Sequence, residues 1–373
     1  LSWEALERAG IDPATLRGSA TGVFARIFHG SYGGQGRVPG HLERYGLRGS
    51  TLSVASGRVA YSLGFEGPAV SIDTACSASL VAFHAACQSL LAGEGAMSIA
   101  CGVYVPTTAY VHVLMGRGNL SSATGLNRAF DDRADGFVMG EGVGAVVLKP
   151  LAAALADGDH VHAIVRATGS NQDGRTYGIA APSGAAQARL EREVLERSGV
   201  DVESIGLVEA HGSATRLGDP IEFGALTDAF RTYTAKRGFC AIGAVKNTIG
   251  HAAAASGIAG LLKTVLALER HARSHAGFLS RLNFFCAPPT RDGEPPPAAH
   301  VTAARVGCST RDLLARGGPG ARHERSKRPR DDEGRCRSRL SSHRPAGART
   351  ELRGRRVCRR RPVDLRQRPR LWA

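Results

Sequence analysis

The chain has 373 residues and a net charge of +15, from 48 Lys and Arg against 33 Asp and Glu. This basicity would suggest a nucleic-acid partner, but it is confined to one end: residues 1–271 carry 23 basic and 24 acidic side chains, and residues 272–373 carry 25 and 9. The eight cysteines lack paired or zinc-type spacing, and no apolar run reaches the ~18 residues of a membrane span. A disulfide framework, a structural metal, a membrane anchor and a nucleic-acid-binding body are therefore disfavoured, and a reduced, cytoplasmic setting is expected.

Strand-like and helix-like segments alternate along the first 271 residues, which predicts an α/β fold with a largely parallel sheet and helices on both faces. The chain opens directly in a helix-like segment without a starting Met, so we expect it to begin inside a longer protein. The predicted strands are 21–28, 69–73, 97–105, 142–151, 160–169, 205–212 and 240–245. The predicted helices are 2–10, 76–91, 183–199 and 255–271.

Cys76 is the first candidate for chemistry, because it opens the predicted helix at 76–91, shortly after the strand at 69–73. A free cysteine is usually a small buried hydrophobe, and Cys87 and Cys101 fit that interpretation. At a helix start, however, unpaired N–H groups and the helix dipole favour a thiolate and can stabilise an oxyanion. From this segment alone, a buried filler and a nucleophile are equally good interpretations.

Two histidines occupy equivalent places after later strands. His211 follows the apolar part, 206–210, of the predicted strand segment and lies within EAHGSAT, and His251 closes KNTIGH after the strand at 240–245. In open α/β sheets, binding sites form beyond the carboxyl ends of the strands. Lys246, five residues before His251, can tune such a site electrostatically, although a solvated loop lysine is the simpler alternative.

The glycines of segment 131–150 superficially resemble a phosphate-binding loop. The segment lacks the GKS or GKT ending, and a strand follows it rather than a helix, so the dinucleotide interpretation is weak. A tight turn with an ionic network around Asp131, Asp135 and Glu141 is the better prediction.

Residues 272–373 differ abruptly from the rest, with no periodicity and a composition dominated by Arg, Pro, Gly and Ala. One interpretation is a disordered tail that binds nucleic acid or anionic surfaces, and another is an unrelated ordered domain. The favoured hypothesis is a reading-frame shift near residue 271, because the break falls inside a strong predicted helix.

Taken together, DTACSAS around Cys76, EAHGSAT around His211 and KNTIGH before His251 resemble the β-ketoacyl synthase domain of a modular type I polyketide synthase. The resemblance extends over residues 1 to about 271, which we take as a partial ketosynthase domain followed by the tail at 272–373. It implies the thiolase-like fold, with two similar βαβαβ halves in five layers and incomplete ends, usually dimeric.

The resemblance also implies roles. Cys76 would accept an acyl chain from the phosphopantetheine arm of an acyl carrier protein, and His211 and His251 would promote decarboxylation of a malonyl-type extender. Lys246 would support the His251 site, and Ser213 and Thr215 would bind the pantetheine arm. The implied partners are a carrier protein, a second copy of the chain and adjacent polyketide synthase domains, with no metal or redox cofactor and no membrane.

Departures from the family pattern limit this expectation. Ala214 stands where the family has glycine and could narrow the channel for the arm. The family's first strands and its later GFGG-type loop, which completes the oxyanion hole, are not found, so we expect a fragment with little or no activity. The alternatives are a non-elongating ketosynthase that only passes on a chain, a non-functional gene remnant, and an Arg-rich nucleic-acid binder.

Overall fold

The computed structural model describes residues 1–27, 49, 51–178 and 180–269. These residues contain two β-sheets and nine α-helices, joined by loops and short 3-10 turns. All of them belong to the same compact unit. The strands are β1 Gly22–Ile27, β2 Ala69–Ile72, β3 Ser98–Tyr104, β4 Gly142–Leu148, β5 Leu207–Glu209 and β6 Ala241–Gly243. The helices are α1 Ser2–Arg8, α2 Val54–Leu63, α3 Ala78–Leu91, α4 Tyr110–Arg117, α5 Leu151–Asp157, α6 Gly184–Ser198, α7 Gly218–Arg231, α8 Lys246–Ile249 and α9 Ser256–Glu269.

The first sheet has the strand order β2-β1-β3-β4. Strands β2, β1 and β3 are parallel, whereas β4 runs antiparallel to β3. The second sheet pairs β5 with β6 in parallel. The prediction of a largely parallel arrangement is therefore confirmed, with β4 as the exception that the sequence pattern did not reveal.

Alternate residues of β1 enter opposite hydrophobic clusters, because successive strand side chains point to opposite faces. Val23 and Ala25 pack with residues of α1 and α2, and Phe24 packs with residues of α3. The first sheet thus has helices on both faces, as predicted. Cys87 and Cys101 lie in these clusters, and burial raises the pKa of Cys101 to about 11, so both thiols are inert packing groups.

The amphipathic pattern at 183–199 gives α6, Gly184–Ser198, which is flanked by the capping residues Ser183 and Gly199. The Ser183 side chain accepts a hydrogen bond from the N–H of Ala186, and Gly199 has the left-handed conformation common at helix ends. Both boundary residues match the sequence prediction.

The segment 160–169 was wrongly predicted as a strand, since only Val165 forms an isolated bridge there. Val165 instead packs against the cluster of α3. Residues such as Val and Ile favour strands because their side chains pack well on a half-buried surface. They form a strand only where another strand pairs with the segment. Predictions for residues 272–373, including the frameshift, the disordered tail and the missing GFGG-type loop, lie outside the described residues and stay predictions.

Candidate active site

Cys76 lies in a single 3-10 turn, Ala75–Ser77, between β2 and α3. Its position at the carboxyl end of a parallel strand is as predicted, although α3 itself begins two residues later at Ala78. The preceding residue, Ala75, has φ +54°, a left-handed conformation that is unfavourable for any residue with a Cβ. The backbone therefore turns sharply immediately before Cys76, and the cysteine remains partly accessible.

The thiol of Cys76 is harder to ionise than the helix-start argument predicted. Burial raises the pKa of Cys76, and the cations of Lys246 and Arg26 offset that effect only in part. The expectation of a favoured thiolate is wrong in net direction, because desolvation of the charged form exceeds the attraction of the nearby positive charges.

His211 begins the loop that follows β5, and the carboxylate of Glu222 fixes its backbone. The N–H of His211 donates to Oε1 of Glu222 at 2.5 Å, and the N–H of Gly212 donates to Oε2 at 2.8 Å. His211 as a whole residue is partly exposed to solvent. Burial of the imidazole, and then the nearby Lys246 and His251, lower the pKa of His211 to about 3.

His251 is only 3% exposed, and its ring is held through Nδ1. The backbone N–H of Ala253 donates to Nδ1 at 3.0 Å, and the hydroxyl of Ser256 lies 2.9 Å from the same nitrogen. Burial, with the cation of Lys246, lowers the pKa of His251 to about 3, so the ring is neutral at pH 7. A backbone N–H can only donate, so the proton of the neutral ring is on Nε2.

The two imidazoles lie together, with ring centroids 5.7 Å apart and planes at 84°. They come from loops after neighbouring parallel strands, β5 and β6, which explains the proximity of residues 40 positions apart in the chain. As predicted, the loops after these two strands bring His211 and His251 close together.

Lys246 is buried, 3% exposed, and is not a solvated loop lysine. Its Nζ donates to the carbonyl oxygen of His211 at 2.5 Å. Burial lowers the pKa of Lys246, partly offset by the carboxylates around it, of which Glu222 acts most strongly. Its cation lowers the pKa values of Cys76, His211 and His251 alike, and so Lys246 is the residue that links all three candidates.

Small residues allow the helix after Cys76 to approach the segment after His251. The hydroxyl of Ser79, on α3, accepts a hydrogen bond from the N–H of Ile258, on α9, at 3.0 Å. A Cβ at Gly257 would lie 2.6 Å from Cγ of Leu80, so only glycine fits there. The run of small residues after His251 was predicted to permit such packing.

Ser213 and Thr215 lie in the His211 loop, with their hydroxyl oxygens 2.9 Å apart. Thr215 Oγ1 also accepts the N–H of Gly218 at 3.1 Å. Both hydroxyls take part in the loop's own hydrogen bonds, and their pantetheine-binding role stays a prediction. Ala214 has φ +58° and is fully buried, so its methyl group does not face the open side of the site.

The glycine-containing segment 131–150 packs directly against the His251 turn. A Cβ at Gly140 would lie 2.1 Å from the carbonyl oxygen of Ile249. Asp131 pairs with Arg133 at 3.1 Å, whereas Glu141 is exposed and has no ion pair within the described part of the chain. The predicted single ionic network is thus wrong for Glu141, and the glycine serves close backbone packing.

Several supporting residues of the site were not identified from sequence. Asn247, beside Lys246, accepts from the side chain of Asn127 at 3.1 Å and from the N–H of Ala129 at 2.8 Å. Asp219, three residues before Glu222, accepts the N–H of Phe130 at 2.6 Å. The acidic pair within GDPIE was the available signal, because buried carboxylates at a helix start commonly bind backbone N–H groups.

A separate group of potential metal ligands lies on the surface of the described region. It consists of His160, His162 and Glu269, whose ligand atoms lie within 4.8 Å of one another. Nδ1 of His162 is 2.9 Å from a carboxylate oxygen of Glu269, and this hydrogen bond accounts for the arrangement. None of the three belongs to the cluster around Lys246.

Two family models match most of the chain. The one described as "Beta-ketoacyl synthase, N-terminal domain" matches residues 1–154, and "Beta-ketoacyl synthase, C-terminal domain" matches residues 162–275. The chain belongs to the β-ketoacyl synthase family. Its members are acyltransferases that carry out decarboxylative condensation, and the resemblance stated from the three motifs is confirmed.

Curated relatives of this chain are polyketide synthases. A mycocerosic acid synthase-like polyketide synthase of Mycolicibacterium smegmatis is 46% identical over 271 residues, 72% of this chain and 13% of that protein. Erythronolide synthase EryA2 of Saccharopolyspora erythraea is 42% identical over 337 residues, 88% of this chain and 9% of that protein. The chain spans about an eighth or less of these relatives' length.

The ketosynthase from module 6 of the bacillaene synthase of Bacillus subtilis 168 is similar in structure. The TM-score is 0.65 at 43% identity, over 71% of this chain and 46% of that one. The likeness shows the thiolase-like fold that was predicted. Among the described residues, no helix combines the length and hydropathy that crossing a bilayer requires.

Proposed function

We propose that residues 1–271 carry the site for decarboxylative Claisen condensation, in which a Cys76-bound acyl chain and a malonyl-type extender give a β-ketoacyl thioester. One observation carries the proposal: the buried cation of Lys246 acts on the Cys76 thiol and on both imidazoles, whose pKa values are lowered and whose centroids are 5.7 Å apart. The arrangement supports the proposal because a thiol is a soft nucleophile and a neutral imidazole can donate a hydrogen bond to a developing oxyanion.

In the first step, the sulfur of Cys76 attacks the thioester carbonyl of a carrier-bound acyl chain. The carrier thiol leaves and takes up the proton that Cys76 loses, so sulfur replaces sulfur without an external reagent. Because burial raises the pKa of Cys76, the thiol is the resting form from which the attack starts. The cations of Lys246 and Arg26 are the groups that stabilise the thiolate.

In the second step, the extender loses CO₂ and its electrons pass to the thioester carbonyl as an enolate. A neutral His251 with its proton on Nε2 donates to that oxygen, and His211 is the second donor. Preorganised donors at a developing oxyanion commonly account for ~100-fold or more in rate each. The enolate carbon then attacks the Cys76 thioester, and the Cys76 thiolate leaves.

The proposal includes partners that match this chemistry. An acyl carrier protein with a phosphopantetheine arm delivers both substrates, and Ser213 and Thr215 bind the arm after releasing part of their mutual hydrogen bonding. A second copy of the chain and adjacent polyketide synthase domains complete the assembly. The reaction uses no metal or redox cofactor, and a cytoplasmic location suits a free thiol nucleophile.

The test is a single-turnover assay of the 373-residue chain with an acyl-thioester donor and a malonyl carrier protein. Intact mass reports acylation, and labelled CO₂ reports decarboxylation. We expect Cys76→Ala to abolish acylation and Cys240→Ala, at another partly accessible cysteine, to retain it. Equal labelling of Cys76→Ala and the parent would overturn the nucleophile assignment.

The same assay separates the remaining alternatives. Acylation without CO₂ release from the malonyl carrier protein would favour a non-elongating ketosynthase, and neither signal would favour a non-functional remnant. We expect low turnover from this chain, which is why single-turnover conditions are used. Sequencing the DNA around codon 271 tests the frameshift hypothesis, and salt-sensitive DNA retention lost on deleting residues 272–373 would support a binding tail instead.

A further inference from the structure

A fully buried arginine lies near the turn that carries Cys76. Arg26 is the fifth residue of β1, and its side chain has no exposed area. In the sheet it is aligned with Ile72 of β2 and Gly102 of β3, so its guanidinium lies close to where the chain leaves β2 for Cys76. Burying a guanidinium is costly unless it is paired, and its partner therefore indicates what it stabilises.

One partner of Arg26 is Asp73, the residue immediately after β2. Nη2 of Arg26 donates to Oδ1 of Asp73 at 2.8 Å. The same Oδ1 accepts the backbone N–H of Ala75 at 3.0 Å. One carboxylate oxygen thus connects a rigid strand to the backbone of the residue that precedes Cys76.

Ala75 needs such a connection, because its φ of +54° is a conformation that alanine adopts only when its surroundings impose it. The turn Ala75–Ser77 decides where the sulfur of Cys76 points. A carboxylate held between Arg26 and the N–H of Ala75 fixes this turn, since neither partner can move without losing a charge-assisted hydrogen bond.

Electrostatic interactions also affect the Cys76 thiol, in addition to the hydrogen bonds that hold its turn. Charged groups on two other elements act on the Cys76 thiol, namely Arg26 on β1 and Lys246 on α8. Burial raises the pKa of Cys76, and Lys246 and Arg26 lower it. The thiol in turn raises the pKa of Tyr104, together with burial.

We propose that Arg26 and Asp73 form a positioning pair for Cys76, which holds the strained turn at Ala75 and keeps a cation beside the sulfur during acyl transfer. This assignment rests on the proposed function for its role in acyl transfer, but its geometric and electrostatic content can be tested without any substrate. Arg26 is a positioning residue, since it acts through Asp73, the Ala75 turn and the local charge.

The test measures alkylation of Cys76 by iodoacetamide at pH 8, by peptide mass spectrometry, relative to Cys240 in the same molecule. The variants are Arg26→Met, Arg26→Lys and Asp73→Asn. The matched control is Arg128→Met, because Arg128 is a mostly buried arginine whose side chain is paired with Asp135. Circular dichroism at the assay temperature checks that each variant is folded.

Opposite changes are expected from the two charge removals. Arg26→Met removes a cation that lowers the pKa of Cys76, and it lowers the alkylation rate about 3- to 10-fold because fewer thiols are ionised. Asp73→Asn removes a negative charge beside that cation, keeps an oxygen for the N–H of Ala75, and raises the rate. Arg26→Lys restores most of the parent rate, and the Arg128 control leaves it unchanged.

Equal rates for the parent, Arg26→Met and Asp73→Asn would overturn the proposal, and so would changes of the same sign in both variants. If Arg26→Met does not fold, Asp73→Asn decides, with the buried Cys87 as internal control, because structural damage would raise the alkylation rate of Cys87 as well. Acylation of Cys76 is measured in parallel. If the parent protein is not acylated, the proposed function is contradicted, while the alkylation rates still test whether Arg26 and Asp73 position Cys76.

Discussion

The backbone N–H of Ala253 donates a 3.0 Å hydrogen bond to Nδ1 of His251. This contact fixes the tautomer, because a nitrogen that accepts from a backbone N–H carries no proton in the neutral ring. Ala253 has φ +38°, so local backbone strain is used to direct its N–H at the ring. The consequence is a buried imidazole whose Nε2–H is available for an oxygen of a bound substrate.

Replacing His251 by Asn tests whether His251 acts as a hydrogen-bond donor to the substrate or only supports the local structure. The amide oxygen of Asn can accept the N–H of Ala253, but no donor remains at the position of Nε2. We expect decarboxylation to fall by ~100-fold or more, while acylation of Cys76 stays within a few-fold of the parent. Single-turnover CO₂ release and intact mass measure the two steps, with the exposed His160→Ala as control. Equal losses in both steps would show that His251 is structural only.

The pH dependence of stability follows from the lowered pKa of His251. The unfolded ring titrates near 6.5 and the folded ring at about 3, so between these values the unfolded state binds more protons. His251 therefore stabilises the fold at neutral pH, and this contribution is lost as the pH falls below about 6.5.

Urea unfolding of the parent and of His251→Asn at pH 7 and pH 5 checks this prediction. The stability advantage of the parent should shrink by about 1–2 kcal/mol at pH 5. Comparing the two proteins cancels the opposite contribution of Asp219, whose pKa burial raises to about 6. An advantage that is equal at both pH values would contradict a neutral, buried His251.

Lys246 should control the ionisation of His211. After burial, its cation is the largest cause that lowers the pKa of His211. Lys246→Met should therefore shift that pKa upward, towards 6.5. The pH dependence of His211 modification by diethyl pyrocarbonate, followed by peptide mass, measures it. The control is Lys263→Met, a lysine paired with Glu209 at 2.5 Å. If the pKa of His211 is unchanged in Lys246→Met, the claim that Lys246 controls the ionisation of His211 is contradicted.

Gly140 should be intolerant of any side chain. A Cβ there would lie 2.1 Å from the carbonyl oxygen of Ile249, and backbone cannot easily retreat from such a clash. We expect Gly140→Ala to lower the free energy of unfolding by about 2 kcal/mol or more and to displace the His251 turn. Gly116→Ala, with nothing within 4 Å of the added Cβ and a helical position, should raise it by up to ~1 kcal/mol. Thermal unfolding compares the two, and equal behaviour would contradict the tight packing.

The predictable part of the fold is the part specified by local pattern. The helix at Gly184–Ser198 has its periodicity, its capping Ser183 and its terminal Gly199 within a few residues of one another, and it forms as predicted. Strand formation at 160–169 depends on whether another strand lies alongside, and no pattern within the segment contains that information. The antiparallel direction of β4 likewise depends on its pairing with β3, which is distant in the sequence.

By itself, the sequence determined which residues could act: Cys76, His211 and His251 after their strands, with Lys246 before the last. Tertiary structure decided their states. It buried Lys246 against the carbonyl of His211, placed the proton of His251 on Nε2, and raised rather than lowered the pKa of Cys76. The physical reason is that protonation and burial are set by atoms far apart in the chain, such as Ser79 and Ile258, whereas motifs record only near neighbours.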